Sequence, residues 1–381
     1  MTGSPAPMEV FRDITVVPTQ SIKDRVPRGG PVWPHFARQH GVRVCRSGTP
    51  ADRRPDPPAD PGPRIEAPCV WGGYLEASFG HLVAEHIPRL PFALAERPDD
   101  LYLFTCARGT GAADIPPHVW DLLAWFGLPQ AQSHVVESPI VAAELRAGPQ
   151  AECLWRSSPP PAYLAELDRV ADRNGLAPRP APVLYVSREG ILARGGGGHL
   201  GEGYLVERLR ALGVAIMDPA ACPIRDQIAA YAGAERIVFA EGSACHGRQL
   251  IGWRDQEIHV LRRRPGASVG KPMLAARCHS LAYHDTVGDR VLTYPSGGAA
   301  RTDTAAVLYD RDRLFGAFAG VGVDLARVWD DDAWRQAAAV DLAAWMARHP
   351  PAALRRIEVI AALAWAGIPL PEVAIDLTTM P

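Results

Sequence analysis

The feature that most constrains the fold is an alternation of short apolar runs with amphipathic stretches between residues 183 and 261. Strands are predicted at 183–187, 214–218, 236–240 and 257–261, and helices at 202–212, 223–232 and 243–251. Because right-handed crossovers join neighbouring parallel strands, this order predicts an open, mostly parallel sheet. Ligands of such sheets bind at the carboxyl ends of the strands.

The residues at these predicted strand ends suit an anion. They are Ser187, Arg188, Glu241, Gly242, Ser243 and Ala244, and Arg194 follows the first of these ends, beside the glycine run at 195–198. A glycine at 242 permits a tight turn, Ser243 is a candidate helix N-cap, and the N–H groups of a helix start favour a phosphate. The guanidinium of Arg188 can fork onto a diphosphate. The same residues also fit an ordinary strand–helix turn beside a surface arginine, with no ligand bound.

Glu241 would repel a phosphate, so it is predicted to bind hydroxyls or to orient His246. Adjacent residues of a helix point apart, which argues against Cys245 and His246 as a nucleophilic dyad. The glycine run at 195–198 is not followed by the Gly-Lys-Ser/Thr of a P-loop.

A second cluster lies in a helical pattern over 77–97, which Pro88 and Pro91 must break or kink. His81 and Glu85 are four residues apart and share one helix face. A carboxylate that orients an imidazole makes a general base. The spacing of His81, Glu85 and His86 fits neither HExxH nor HxxEH, so no metal site is predicted. A surface ion pair fits the same spacing.

Composition narrows the functional classes. Forty Lys+Arg against 42 Asp+Glu give a net charge of −2, which argues against nucleic acid as a partner. No apolar run approaches the roughly 18 residues of a membrane span, and the start of the chain lacks the layout of a signal peptide. The seven cysteines form no CxxC pair. A cytoplasmic protein in a reducing compartment is expected, with peripheral membrane contact and oligomeric state left open.

Three domains are predicted: an N-terminal α/β domain, a Rossmann-like domain and a C-terminal extension, at 1–176, 177–275 and 276–381. A proline-rich linker at 177–182 separates the first two. Residues 1–64 are predicted to be rich in loops. The extension is predicted to begin with a hairpin of 279–284 and 290–294 and to be mainly helical beyond it.

Three stretches together resemble glycosyltransferase family 61, which includes bacterial transferases of the capsular-polysaccharide type. They are FGHLVAEHIPRL at 79–90, LYVSR at 184–188 with Arg194 and Glu202, and 226–244, which holds DQI and ends in EGSA. Their order and spacing match over roughly 71–262. Many members carry His-Gly where this chain has Glu241-Gly242, and Asn where it has Gly201.

The resemblance implies a GT-B-like α/β fold, with two Rossmann-like domains facing across a cleft. It implies an inverting transferase with a nucleotide sugar as co-substrate and neither a metal nor another cofactor. The acceptor would be a glycan or other hydroxyl, in surface or capsular polysaccharide synthesis.

The resemblance also assigns roles. Arg188, assisted by Arg194, would neutralise the leaving diphosphate, and the donor contacts would come from Ser187, Glu241, Gly242, Ser243 and Ala244. His81 would deprotonate the acceptor with Glu85 orienting it, or Glu85 would itself be the base. Arg89 would bind an anionic acceptor or close the domains. Two alternatives stay open: a non-catalytic nucleotide-sugar or glycan binding protein of the same fold, and a metal hydrolase at His81, Glu85 and His86.

Overall fold

The computed structural model describes residues 7–23, 26–39, 41–46, 49–153, 158–295, 298–369 and 380. The chain forms two compact α/β units. Unit 1 comprises Met1–Ala177, Cys245–Arg254 and Gly270–Arg277, and unit 2 comprises Pro178–Ala244, Asp255–Val269 and Cys278–Pro381. Two short segments from the second half of the chain thus belong to the unit formed by the first half.

Unit 1 contains a mixed sheet. Its strands, and those of a small separate pair, are β1 (Glu9–Lys23), β2 (Val26–Pro31), β3 (Cys45–Arg46), β4 (Thr49–Pro50), β5 (Arg64–Ile65), β6 (Cys69–Tyr74), β7 (Leu101–Thr105), β8 (Ser133–Val135) and β9 (Ile140–Ala147). The main sheet runs β2-β1-β9-β6-β7-β8, with β5 also beside β9, and β3 pairs with β4. Strands β9, β6, β7 and β8 are parallel, whereas β1 is antiparallel to both of its neighbours.

The prediction that residues 1–64 are rich in loops is wrong for β1 and β2. Strand β1 buries Val16 and Val17 in the sheet, and β2 pairs with it from Val26 to Pro31. Many of the prolines that indicated loops lie between Gly48 and Pro63, and Pro27 and Pro31 lie in β2, an edge strand. An edge strand tolerates proline because one side of its backbone needs no hydrogen-bond donor.

The helices of the two units are distributed along the whole chain. In order they are α1 (Phe79–His81), α2 (Leu90–Glu96), α3 (Pro117–Trp125), α4 (Pro161–Arg173), α5 (Glu189–Leu192), α6 (Glu202–Ala211), α7 (Ile224–Gly233), α8 (Lys271–Ala275), α9 (Arg311–Ala319), α10 (Asp331–Met346) and α11 (Arg356–Ala366). Short 3-10 helices cover Ile87–Arg89, Ala112–Asp114, Gln130–Gln132, Ser243–Leu250, Leu325–Val328 and Pro351–Ala353, and a π-helix covers Leu82–His86. Among these helices none combines the length and apolarity that a membrane crossing requires.

Unit 2 contains the predicted parallel sheet. Its strands, with those of a second sheet, are β10 (Ala181–Val186), β11 (Gly198–His199), β12 (Ala215–Met217), β13 (Ala234–Ala240), β14 (Glu257–Leu261), β15 (Ser280–His284), β16 (Val287–Thr293) and β17 (Arg301–Tyr309). The parallel sheet runs β12-β10-β13-β14-β15. After β10 the chain forms β12 on one side of that strand and then β13 on its other side. The topological switch point therefore lies between β10 and β13.

The predicted hairpin of 279–284 and 290–294 is wrong in its pairing. Strand β15 continues the parallel sheet beside β14, and β16 pairs antiparallel with β17. The connection at Asp285-Thr286 is as short as a hairpin turn, but the chain changes sheets there. The buried Thr286 carries the carbonyl that accepts the backbone N–H of Asp310 at 2.8 Å.

The core of unit 2 includes the C-terminal part of the chain. Tyr185 of β10 and Leu205 of α6 belong to the same buried cluster as Phe318, Trp334 and Trp345. The described residues from 278 onward therefore pack into the unit that holds the parallel sheet. The division into domains at 1–176, 177–275 and 276–381 stays a prediction about independent folding.

Candidate active site

The first cluster lies on a composite helix in unit 1. Helix α1 passes into the π-helix Leu82–His86, then into a 3-10 turn and α2. The N–H of Ile87 donates to the carbonyl of Leu82, five residues earlier, and Pro88 has no N–H to continue a regular ladder. The sequence therefore predicted a kinked helix but not its π-helical turn. Such turns are frequent at functional sites.

The predicted contact between His81 and Glu85 is present. Nδ1 of His81 lies 2.7 Å from Oε1 of Glu85. The Glu85 side chain is fully buried, whereas that of His81 is 29% exposed. A carboxylate accepts from the Nδ1–H of a neutral histidine, which leaves the basic lone pair on Nε2. The pair thus has the chemistry of an oriented base, with the imidazole as its accessible member.

Two neighbouring residues of this helix, His86 and Arg89, pack against other parts of unit 1. The ring of His86 packs at 5.3 Å from that of Tyr74. Arg89 is buried and donates to the carbonyl oxygens of Val42 at 3.1 Å and Arg43 at 3.4 Å. The role of Arg89 in binding an anionic acceptor is therefore wrong, because its guanidinium is held inside unit 1. Within the described ranges, no three His, Cys, Asp or Glu side chains are grouped to hold a metal ion.

The second cluster lies in unit 2, at the carboxyl ends of β10 and β13, where the switch point is. The Arg188 guanidinium is nearly buried and donates from Nε and Nη2 to the carbonyl of Gly197 at 3.1 and 2.9 Å. Its Nη1 would lie 1.7 Å from a Cβ placed on Gly242. The structure therefore brings Arg188 and Gly242 together, as predicted. The glycine is required by this close approach, not by the tight turn the sequence indicated, since its φ is not positive.

Arg263, which follows β14 by two residues, joins this cluster and was not identified from the sequence. It is 3% exposed, its Nη1 donates to the carbonyl of Thr302 at 2.7 Å, and the same atom approaches Gly197 closely. Burial, and then the charge of Arg188, lower the pKa of Arg263 to about 9. Two buried guanidiniums lie beside one glycine, and their positive charges repel each other. A bound anion would offset this repulsion.

Glu241 ties the end of β13 to the turn after β14. One carboxylate oxygen accepts the backbone N–H groups of Arg263 and Arg264 at 2.8 and 2.9 Å, and the other accepts Nε of Arg264 at 2.7 Å. Because the side chain is fully buried and both oxygens are engaged, the prediction that Glu241 binds hydroxyls or orients His246 is wrong. It shapes the turn that carries Arg263.

The remaining predicted donor contacts differ in exposure. Ser187 is buried and its N–H bonds the carbonyl of Met217 at 2.9 Å. Arg194 and Ser243 are exposed, and Ala244 is buried. Ser243 is the first residue of a 3-10 helix, Ser243–Leu250, rather than the N-cap of an α-helix. Of these residues, Arg194 and Ser243 have side chains that a ligand can reach.

Unit 2 thus has a parallel sheet with buried arginines at its switch point, and unit 1 has a histidine that contacts a buried carboxylate. Residues 79–248 match the model of the family described as Glycosyltransferase 61, which includes both clusters apart from Arg263 and Arg264. Through this region the chain is similar to glycosyltransferase family 61, and the match supports a glycosyltransferase. The resemblance predicted from the three motifs is thereby confirmed over residues 79–248. No curated protein matches the chain significantly.

Proposed function

We propose that this protein is an inverting glycosyltransferase in which unit 2 binds the diphosphate of a nucleotide sugar. The observation that carries the proposal is the buried pair of Arg188 and Arg263 at the switch point of the parallel sheet. Negative charge grows on the diphosphate as it leaves the sugar, and fixed positive donors stabilise that charge in the transition state. Arg194 and Ser243 are exposed nearby in sequence and supply further contacts to the donor.

We assign the acceptor side to His81 and Glu85 of unit 1. In a single displacement the acceptor oxygen bonds to the anomeric carbon, the bond from that carbon to the diphosphate breaks, and the hydroxyl proton passes to Nε2 of His81. The buried Glu85 holds the ring and stabilises the imidazolium that results. Of the two bases that the resemblance allowed, the exposure of His81 favours the imidazole.

The finer parts of the proposal rest on the family resemblance. They are a mechanism without a metal, a glycan hydroxyl as acceptor, and a role in surface or capsular polysaccharide synthesis. Cys69, Cys106 and Cys222 are free thiols, which supports a reducing compartment such as the cytoplasm. A GT-B arrangement is likewise proposed from the resemblance.

The test combines a donor panel with variants of each unit. Hydrolysis and transfer are measured with UDP-, GDP-, CDP- and ADP-sugars, and binding of the best donor is then measured for Arg188→Ala, Arg263→Met and His81→Ala. Loss of a buried charged contact costs about 2–5 kcal/mol, so we expect both arginine variants to weaken donor binding at least 30-fold. His81→Ala should lower kcat by about 10²–10⁴ with donor binding unchanged.

Arg210→Ala is the matched control, because Arg210 is an exposed arginine of unit 2 on α6. It should bind the donor as the unaltered protein does. Near-normal turnover of folded Arg188→Ala and His81→Ala variants would refute the assignment. Donor binding without hydrolysis or transfer to any hydroxyl acceptor would instead identify a non-catalytic binding protein.

A further inference from the structure

Glu202 lies directly behind Arg188 in unit 2. It is the first residue of α6, and its carboxyl group is fully buried. Oε1 accepts the backbone N–H of Arg188 at 2.8 Å and the hydroxyl of Tyr185 at 2.8 Å. Glu202 therefore fixes the backbone of the residue whose guanidinium lies against Gly242.

The second carboxylate oxygen of Glu202 differs from the first in its hydrogen bonding. Oε2 is buried and has no hydrogen-bond partner among the described residues. A buried carboxylate oxygen without a donor is costly when it is charged, whereas a protonated carboxyl is much less so. The carboxyl group is therefore built to hold a proton at this position.

The groups around Glu202 are few. Arg188 and Glu189 face it from the turn after β10, and Tyr185 faces it from β10 itself. Tyr309 of β17 lies behind, with its hydroxyl 3.5 Å from that of Tyr185, and both tyrosines are buried and neutral. Asp341 of α10 bonds the N–H of the preceding Gly201 at 2.8 Å. Arg188 is thus the cation that faces the carboxyl group in this neighbourhood.

We propose that Glu202 is a positioning residue for Arg188 and takes up a proton when the diphosphate of the donor binds. The inference rests on the proposed function, because it needs an anion at Arg188. When the diphosphate binds the Arg188 guanidinium, a negative charge on Glu202 becomes less favourable. The diphosphate repels the carboxylate, and both anions compete for the same cation. Protonation removes this conflict and keeps Oε1 as the acceptor for the Arg188 backbone.

The ionisation of Glu202 supports the coupling. Burial raises the pKa of Glu202 to about 7, against the lowering effect of the hydrogen bonds from the Arg188 N–H and the Tyr185 hydroxyl. A bound anion would raise this pKa further. The donor complex then binds more protons than the free protein between the two pKa values, so donor affinity falls as the pH rises above about 7.

The experiment follows the dissociation constant from pH 6 to 9. The probes are UDP-glucose and GDP-mannose, whose diphosphates lack the terminal phosphate ionisation near pH 6. For the unaltered protein we expect Kd to increase about three- to tenfold from pH 6.5 to 8.5, since one coupled proton gives at most tenfold per pH unit. Glu202→Gln keeps an acceptor for the Arg188 backbone, and its Kd should change less than twofold over the same range.

Glu207→Gln is the matched control, because Glu207 lies on the same helix and its side chain is 66% exposed. It should keep the pH dependence of the unaltered protein. Calorimetry of the unaltered protein in two buffers of different ionisation enthalpy should show proton uptake near pH 7, whether or not any variant folds. Donor binding with no pH dependence and no proton uptake overturns the role of Glu202 alone. Absence of probe binding at every pH overturns the proposed function.

Discussion

At the scale of single residues, the identity of position 242 is set by a neighbouring side chain. A methyl group on Gly242 would lie 1.7 Å from Nη1 and 2.6 Å from Cζ of Arg188. These atoms are the far end of a flexible side chain, so the clash is relieved by displacing the guanidinium rather than by unfolding the turn. Gly242 and Arg188 are therefore sterically coupled, although they lie 54 positions apart in the chain.

Gly242→Ala should consequently behave as a binding variant. We expect donor affinity to fall at least tenfold, because the guanidinium loses its place, while overpacking costs about 1–3 kcal/mol of stability. Isothermal calorimetry with the donor and denaturant unfolding measure the two quantities. Gly316→Ala is the control, since a Cβ there meets no atom within 4 Å and its φ is not positive. Equal donor affinity for both variants would contradict this view of position 242.

The residue scale also shows how far the candidate site could be predicted from the sequence. Arg188, Gly242, His81 and Glu85 were identified because each stands next to a recognisable turn or at helical spacing. Arg263 was missed, although its strand end was recognised, because a run of three arginines reads as a surface turn. Nothing in the sequence distinguishes the buried Arg263 from its partly exposed neighbours Arg262 and Arg264.

The glycine at position 201 is explained by its backbone conformation, which the sequence alone did not reveal. Gly201 has φ +72° and ψ +20°, the left-handed region that glycine adopts freely and that asparagine tolerates best among other residues. The Asn that many family members carry before the matching glutamate suits the same conformation. The difference between this chain and its family at this position thus preserves the turn that begins α6.

At the scale of elements, α8 and the 3-10 helix Ser243–Leu250 are anchored to unit 1 by a buried ion pair. Arg277, which follows α8, bonds both carboxylate oxygens of Glu152 at 2.9 Å, and neither side chain is more than 1% exposed. Arg277 also donates to the carbonyl of Gln249 at 3.3 Å. Two segments distant in sequence are thereby joined at one guanidinium.

Glu152→Ala should destabilise unit 1 strongly, because it leaves Arg277 buried without its counter-charge. Breaking a buried pair in this way costs about 3–5 kcal/mol. Glu166→Ala is the control: Glu166 is also buried, but its partners Arg169 and Arg173 are 66% and 53% exposed, so the arginines left behind remain hydrated. Chemical denaturation should give a loss of roughly 1 kcal/mol or less for the control. A loss of the same size in both variants would count against the anchoring role.

Regular elements were predicted from the sequence where local signals agree. The strand Glu257–Leu261 has its predicted limits, and the helices α6 and α7 lie within a few residues of theirs. Pairing between distant segments was not predicted, as β1, β9 and β15 show. Strand partners depend on contacts far apart in the chain, and the alternation of apolar residues along one strand does not identify its neighbour.

At the scale of the whole molecule, the C-terminal hundred residues have a structural role in unit 2. The carbonyl of Thr302 accepts from Arg263, Asp341 accepts the N–H of Gly201, and Tyr309 reaches the hydroxyl of Tyr185. These contacts reach Arg263, the start of α6 and strand β10, which adjoin the strand ends that we propose bind the donor. The C-terminal part therefore supports this candidate donor site within unit 2.

Because β10, α6 and α10 share one buried core, we expect them to unfold cooperatively. Trp345 of α10 is 1% exposed and lies in the cluster that contains Tyr185 and Leu205. Trp345→Ala should cost about 3–5 kcal/mol, and the loss should spread to β10 and α6. Hydrogen exchange measures this directly, as a fall in protection at the amides of Ala181–Val186 together with those of Asp331–Met346.

Trp365→Ala supplies the comparison, because Trp365 is 52% exposed on α11 and its removal should leave the amides of β10 protected. If the Trp345 variant loses protection only beyond residue 276 and β10 keeps its own, then the extension is a separate domain, as the sequence predicted. Joint loss in both segments would instead establish one cooperative unit, because a sheet and the helices that cover it share the apolar area whose burial stabilises them. The candidate donor site and the C-terminal segments that support it would then form and unfold together.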